Sequence, residues 1–252
     1  MNCINPSPSH IPALRHLWQV AFGDEDTFLD LFFSHAFSPS RCRCIIDGET
    51  VAAAHYWFDT ECEGQKFAYL YAVATDPAYR GQGLCRQLTE DLVALLTQRG
   101  YHGIILVPQN PQVVQMYRKL GYRDCTFMTE ATIPGRNLGL SPRRVTAREY
   151  ALLRRNLLPP RSILQEETNL DFLNSLYVFF AFGDSIAAVH LEENKLICLE
   201  YLGNPDLATG LVHALGCEVG IFRFSGPGRL FSQYMPLRPD THQPTYFAFA
   251  FD

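Results

Sequence analysis

Arg80-Gly81-Gln82-Gly83-Leu84-Cys85 is the run whose residue types and spacing best suit it to hold an anion. It follows a strand-like segment, Phe67 to Val73, and opens an amphipathic helical segment. The first amides of a helix lack intrahelical acceptors and carry a partial positive charge, so they attract phosphate groups. Gly81 and Gly83 put no side chain between those amides and a bulky polyphosphate. The run reads as a pyrophosphate cradle. Two common cradles do not fit it. No Lys-Ser or Lys-Thr follows the glycines, as a P-loop requires, and Leu84-Cys85-Arg86 lacks the third glycine of a dinucleotide fingerprint.

The pattern R-x-x-G-x-small does fit. With Ala72-Val73 and Asp76-Pro77-Ala78-Tyr79 ahead of it, the run resembles the acetyl-CoA-binding motif of the GNAT family of N-acetyltransferases. Cys85 stands where that family usually has Gly or Ala; cysteine is small and packs as a hydrophobe. Downstream, Asn110, then Tyr117-Arg118-Lys119-Leu120-Gly121-Tyr122, is similar to the family's second cofactor motif. The resemblance implies a division of labour. Main-chain groups of Ala72 and Val73 would pair with the pantetheine arm, and a strand N–H there would polarise the thioester carbonyl. Amides of Gly81, Gln82, Gly83, Leu84 and Cys85 would hold the pyrophosphate, with Arg80 adding charge. Asn110 would contact the pantetheine arm. Tyr117 would face the sulfur as a general acid, a phenol having a pKa of about 10.

The base is harder to place. Phe67-Ala68-Tyr69-Leu70-Tyr71 contains neither Glu nor His, the residues many relatives carry there. His55, Asp59, Glu61 and Glu63 on the neighbouring strand are candidates, and Tyr69 could order a water chain instead. Some two-domain relatives use a terminal carboxylate, which the resemblance would place at Asp252.

The elements that must position these residues follow from periodicity. Leu14, Leu17, Trp18 and Ala21 share a helical face, as do Phe28, Leu31, Phe32 and Phe33. Arg43–Ile46 and Val51–Phe58 flank Asp47-Gly48-Glu49, a hairpin signal, and Lys66–Ala74 is a further strand. A helix is expected over 83–99 from leucines at 84, 88, 92, 95 and 96, with Gly100 as its stop. Gly103–Pro108 reads as a strand. Asn110 is placed to cap a second helix, with Pro111 first inside it and Gly121 just beyond. Cys125–Ile133 closes the set. The expected fold class is α/β, a mixed sheet in a GNAT acyl-CoA N-acyltransferase fold.

Pro134 to Pro142 reads as a linker, giving a first domain at 1–138 with the acetyl-CoA site and a second at 139–252. Thr146-Ala147-Arg148-Glu149 is a capping box. Gly48 to His55 resembles Gly183 to His190, and Asp76-Pro77 has a counterpart in Asn204-Pro205. The second domain is therefore expected to be a smaller, degenerate GNAT-like copy without the glycine loop.

A net charge of −5 argues against a nucleic-acid surface, and no apolar run is long enough for a membrane helix. The N-terminal residues lack the basic-then-apolar order of a signal peptide, so a cytoplasmic location is expected. The eight cysteines form no C-x-x-C pair and no metal set, which leaves them as reduced thiols. The expected enzyme is an acetyl-CoA-dependent N-acetyltransferase acting on a primary amine of a small molecule or peptide. The other reading is a non-catalytic acyl-CoA-binding or sensing protein. The degenerate half could shape the acceptor site or mediate a homodimer.

Overall fold

Leu14, Leu17 and Trp18, predicted to share one helical face, are all buried on α1 (Ile11–Phe22), which ends where Gly23 turns left-handed at φ 77°. The computed structural model describes residues 1–166 and 168–250. By contact it divides into two compact units: Met1–Arg123 with Gln233–His242, and Asp124–Ser232 with the segment from Gln243 onward.

In the first unit β1 (Cys3–Ile4) precedes α1, and α2 (Asp26–Leu31) continues into a π-helical turn over Phe32–Ala36. The predicted hairpin forms as β2 (Cys42–Asp47) and β3 (Thr50–Cys62), followed by β4 (Gln65–Thr75). Then come α3 (Leu84–Gln98), β5 (Gly103–Leu106) and α4 (Pro111–Lys119). The strands β1, β2, β3 and β4 pair antiparallel in that order, and β5 joins β4 in parallel. Parallel pairing demands a crossover, and α3 supplies it.

Side-chain alternation along β3 and β4 sorts two layers. Trp57, Ala68 and Leu70 pack with Leu92 and Leu96 of α3, Ile104 of β5 and Tyr117 of α4. On the opposite face Tyr56, Phe58 and Tyr71 meet Trp18 and Phe32. Burying each such leucine or phenylalanine contributes about 1.5–3 kcal/mol, so both layers hold the sheet firmly.

The second unit contains β6 (Arg123–Pro134), β7 (Arg143–Arg144), α5 (Ala147–Leu157), α6 (Thr168–Leu176) and β8 (Val178–Phe182). It continues with β9 (Ser185–Glu192), β10 (Lys195–Leu202), α7 (Ala208–Ala214), β11 (Val219–Ser225) and β12 (Arg229–Pro236) as far as Ser232. The predicted capping box starts α5: Thr146 Oγ1 accepts from the Glu149 amide, and Glu149 accepts from the Thr146 amide. Here too a hairpin, β9–β10, is followed by a helix and a parallel strand, β11. Beneath it Glu200, fully buried, takes two hydrogen bonds from Arg154 (2.7 and 2.9 Å) and one each from Tyr150 and Tyr246. A buried charge is tolerable only when so fully matched.

The division into units differs from the expected boundary after residue 138. β6 pairs with β11 from Met128 to Pro134 and so joins the second unit, whereas Gln233–Pro236 of β12 pairs antiparallel with β5 and joins the first. A pairing between residues so far apart in the chain leaves no local signal at Pro134–Pro142.

One register shift bears on the site. Ala54 faces Ala74 and Tyr56 faces Tyr71, so β4 carries an extra residue against β3, and Ala72 within that bulge stands at φ 46°. A non-glycine residue there stores on the order of 1 kcal/mol of strain. Ala72→Val is expected to lower the unfolding free energy by about 2 kcal/mol, since a β-branched residue resists that conformation further. Ala72→Gly is expected to stay within about 0.5 kcal/mol of the parent, strain relief offsetting added chain entropy. Denaturant melts of both variants check this; equal losses would contradict it.

Candidate active site

β4 and β5 are in register only from Phe67↔Gly103 to Tyr69↔Ile105, while β4 runs on to Thr75. Beyond Tyr69 the β4–β5 ladder does not continue among the described residues, and Ala72 and Val73 lie on this stretch. The bulge turns the strand at the same place. A main-chain edge next to a splayed neighbour can accept an extended, amide-bearing ligand as an added strand.

β4 leads directly into the glycine run. Asp76 Oδ1 accepts from the Ala78 amide at 2.8 Å, fixing a 3₁₀ turn over Pro77–Tyr79. Gly81 and Gly83 then stand at φ 77° and 80°, and a methyl group built on either would meet nothing within 4 Å. Gly83 is the N-cap residue of α3 and offers no side chain to the first turn, so the amides of Leu84, Cys85 and Arg86 have no intrahelical acceptor. Open space, left-handed glycines and unpaired amides fit a pyrophosphate. Arg80 is exposed, and its Nε donates to the Thr75 carbonyl at 3.3 Å, while Gln82 Nε2 donates to the Ala78 carbonyl at 3.4 Å. Both contacts brace the loop.

Asn110 caps α4 as expected: its Oδ1 accepts from the Val113 amide at 3.0 Å, leaving Nδ2 as the group a ligand could use. Tyr117 is 5% exposed, in the core layer with Leu70 and Leu92, its ring 5.1 Å from that of Tyr122. Burial pushes its phenol well above the ordinary value, and the nearby Cys85 and Tyr122 add to this. Cys85 is half-buried, and desolvation raises its thiol also.

The structure does not gather the catalytic candidates. His55 is 1% exposed on the α3 face, 6.4 Å from Trp57, and its Nε2 has no hydrogen-bond partner among the described residues. Burial lowers its pKa to about 3, which argues against a base that must gain a proton near neutral pH. Tyr69, also buried, stands on the opposite face, stacked on Phe58 at 6.1 Å and 6.0 Å from Tyr71. Asp59 takes a hydrogen bond from Tyr101 and lies 3.8 Å from Arg41. Glu61 accepts from the Gly64 amide and Glu63 pairs with His242 at 3.1 Å, both at the β3–β4 hairpin. At about 3.3 Å per residue, Glu61 sits roughly 20 Å along the strand from the bulge, too far to serve it. Asp252 lies outside the described residues. Among the described residues no His, Cys, Asp or Glu cluster is arranged to hold a metal.

Sequence reading passed over one feature here. Trp18 Nε1 donates to Asp24 Oδ2 at 2.7 Å, and Trp18 packs 5.6 Å from Tyr71, which directly precedes Ala72. The dense run of carboxylates at Asp24, Glu25, Asp26 and Asp30 beside aromatic residues was the available signal.

The buried neutral His55 has a measurable consequence. Its folded pKa, about 3, lies below the ordinary histidine value, so between the two the unfolded chain binds a proton that the folded chain does not. Its contribution to stability is complete above pH of about 6.5 and is lost as pH falls towards 3. Thermal melts from neutral to acidic pH should show a shallower decline for His55→Gln than for the parent. Parallel curves would contradict this.

Comparison with known proteins places this geometry. Residues 11–122 match the acetyltransferase (GNAT) family. Histone acetyltransferase TAP1 of Glycine max is 44% identical over 55 residues, spanning 22% of this chain and 23% of that protein. The chain thus aligns with under a quarter of the length of that relative. A GCN5-related N-acetyltransferase from Anabaena variabilis superposes with a TM-score of 0.75 at 14% identity, covering 94% of this chain and 73% of the other. A tandem GNAT protein from the clavulanic acid biosynthesis pathway gives 0.58 at 12% identity, covering 95% and 99%. At these identities the structural likeness is one of fold. With the splayed strands and the glycine-opened helix, the chain has the fold of the GNAT acetyltransferases it resembles, and its residues 11–122 match the acetyltransferase (GNAT) family model.

Proposed function

We propose that this protein transfers an acetyl group from acetyl-CoA directly to a primary amine of a small molecule or peptide. The observation that carries this reading is one continuous segment: a strand edge whose ladder with β5 does not continue past Tyr69 among the described residues, a strained bulge at Ala72, and the open amides that begin α3. Acetyl-CoA supplies an activated acetyl group as a thioester. Main-chain groups of Ala72 and Val73 bind the pantetheine arm, and an N–H at the bulge is aimed at the oxygen that gains negative charge. Amides of Gly81 to Cys85 hold the pyrophosphate, with Arg80 adding positive charge. Asn110 Nδ2 donates to the arm.

Tyr117 holds its proton. Burial keeps the phenol neutral at working pH, so its Oη donates to the departing sulfur. The amine approaches from the face of Tyr69 and Tyr71, where Tyr69 orders the water that carries its proton away. His55 has no part in this scheme.

Two measurements test the reading. The purified protein is expected to bind acetyl-CoA and to release CoA with at least one member of a broad amine panel; binding without release would favour an acyl-CoA sensor. Tyr117→Phe is expected to lower kcat about a hundredfold while acetyl-CoA affinity stays within about threefold. Unchanged kcat would remove Tyr117 from the chemistry, and failure to bind acetyl-CoA would overturn the reading as a whole.

A further inference from the structure

The face of β4 opposite α3 carries more aromatic surface than a sheet–helix contact needs. Trp18 lies 5.1 Å from Tyr56, 5.6 Å from Tyr71, 6.2 Å from Phe28 and 6.2 Å from Phe33. Phe33 in turn lies 5.1 Å from Phe37. Trp18 and Tyr56 are buried, whereas Phe28, Phe33, Phe37 and Tyr71 keep part of their surface open. The cluster therefore has a closed floor and an open rim. Its backbone is unusual too: Phe32–Ala36 forms a π-helical turn, with the Phe37 amide donating to the Phe32 carbonyl at 2.9 Å. Such turns are frequent at functional sites.

The rim carries negative charge. The segment from Gly23 to Leu31 holds Asp24, Glu25, Asp26 and Asp30 and no cation. Arg15 spans Asp26 (3.3 Å) and Asp30 (2.8 Å), and its guanidinium lies 5.7 Å from the centre of the Phe33 ring. That contact shows a cation already resting on this rim. Asp24 is different. The buried Trp18 indole fixes it through one oxygen, and no cation pairs with it among the described residues. A carboxylate held rigidly beside ring faces is the combination that recognises an ammonium group: the rings offer a negative quadrupole and the carboxylate a full charge.

We propose that Asp24 and the ring faces around Trp18 select the acceptor, and that the acceptor is a cationic primary amine on an apolar, arene-sized carrier. This rests on the acetyltransferase reading, because it identifies the amine side of that same site. The chain of contacts supports the assignment: Asp24 holds Trp18, Trp18 packs on Tyr71, and Tyr71 adjoins Ala72 at the bulge. Asp24 is a specificity-determining residue here and takes no part in the bond changes. A neutral isostere of the amine would meet the same rings but leave the carboxylate without a counter-charge.

The test is calorimetric titration of phenethylamine and of phenethyl alcohol into the CoA-loaded protein. The parent is expected to bind the amine about tenfold or more tightly than the alcohol. Asp24→Asn should bring the two affinities together while its acetyl-CoA affinity and melting temperature stay at parent values. Glu90→Gln, which removes one charge from an exposed position on α3, should keep the preference intact. An amine preference that survives Asp24→Asn, or is absent from a parent that binds acetyl-CoA, overturns this inference alone. A parent that binds neither acetyl-CoA nor CoA overturns the acetyltransferase reading beneath it. If Asp24→Asn does not fold, Asp24→Ser, which also removes the carboxylate and leaves Trp18 in place, gives the same comparison.

Discussion

One extra residue in β4 is the constraint on which the first unit's site depends. β4 has to satisfy β3 on one side and β5 on the other. Ala72, at φ 46°, lets it keep the antiparallel register with β3 while it turns away from β5 after Tyr69. The strand cannot relax from this conformation without sliding against β3, whose Tyr56, Trp57 and Phe58 are locked into packed layers on both faces. The core thus sustains the strain, and the edge it frees leads through the 3₁₀ turn and the glycine run to α3.

In the second unit, as in the first, an antiparallel hairpin is followed by a helix and a parallel strand. Cys198 faces Val189 and Glu200 faces Ala188, so β10 is also bulged against its hairpin partner, at Leu199. Its parallel register with β11 likewise spans only Lys195–Cys198. Asn204 caps a 3₁₀ turn through the Asp206 amide at 3.0 Å, as Asp76 caps its own through Ala78 at 2.8 Å. The glycine loop is what is missing. Gly210 sits inside α7, where a methyl group would come within 2.6 Å of Leu140, so this glycine serves close packing. On β10 the buried Glu200 is instead matched structurally: Arg154 supplies the counter-charge, and Tyr150 and Tyr246 donate hydrogen bonds to it. We infer one acyl-CoA site per chain.

The local geometry of the candidate site was legible because its signals are local. Gly81 and Gly83 adopt the left-handed conformations that their type permits, Asn110 caps α4, and α3 carries its leucines where their spacing put them. What stayed hidden depends on tertiary context. Nothing in the residue type of Ala72 announces a positive φ, and that angle follows from competition between two neighbouring strands. His55 has the right chemistry on paper, but burial between the sheet and α3 removes its capacity to hold a proton. The return of Gln233–Pro236 beside β5 is a long-range pairing, so the break expected after residue 138 does not coincide with the compact units. Asp24 gains significance only through its contact with Trp18.

The central claim is that the edge of β4 beyond Tyr69 and the first turn of α3 form a single binding surface for acetyl-CoA. Amide hydrogen exchange with and without acetyl-CoA tests it most directly, because free main-chain N–H groups are what the claim invokes. Protection gained together across Ala72–Val73 and Gly81–Arg86, with little change around Asn204–Gly210 in the second unit, is the expected result. Protection confined to other segments, or none at saturating acetyl-CoA, would contradict it.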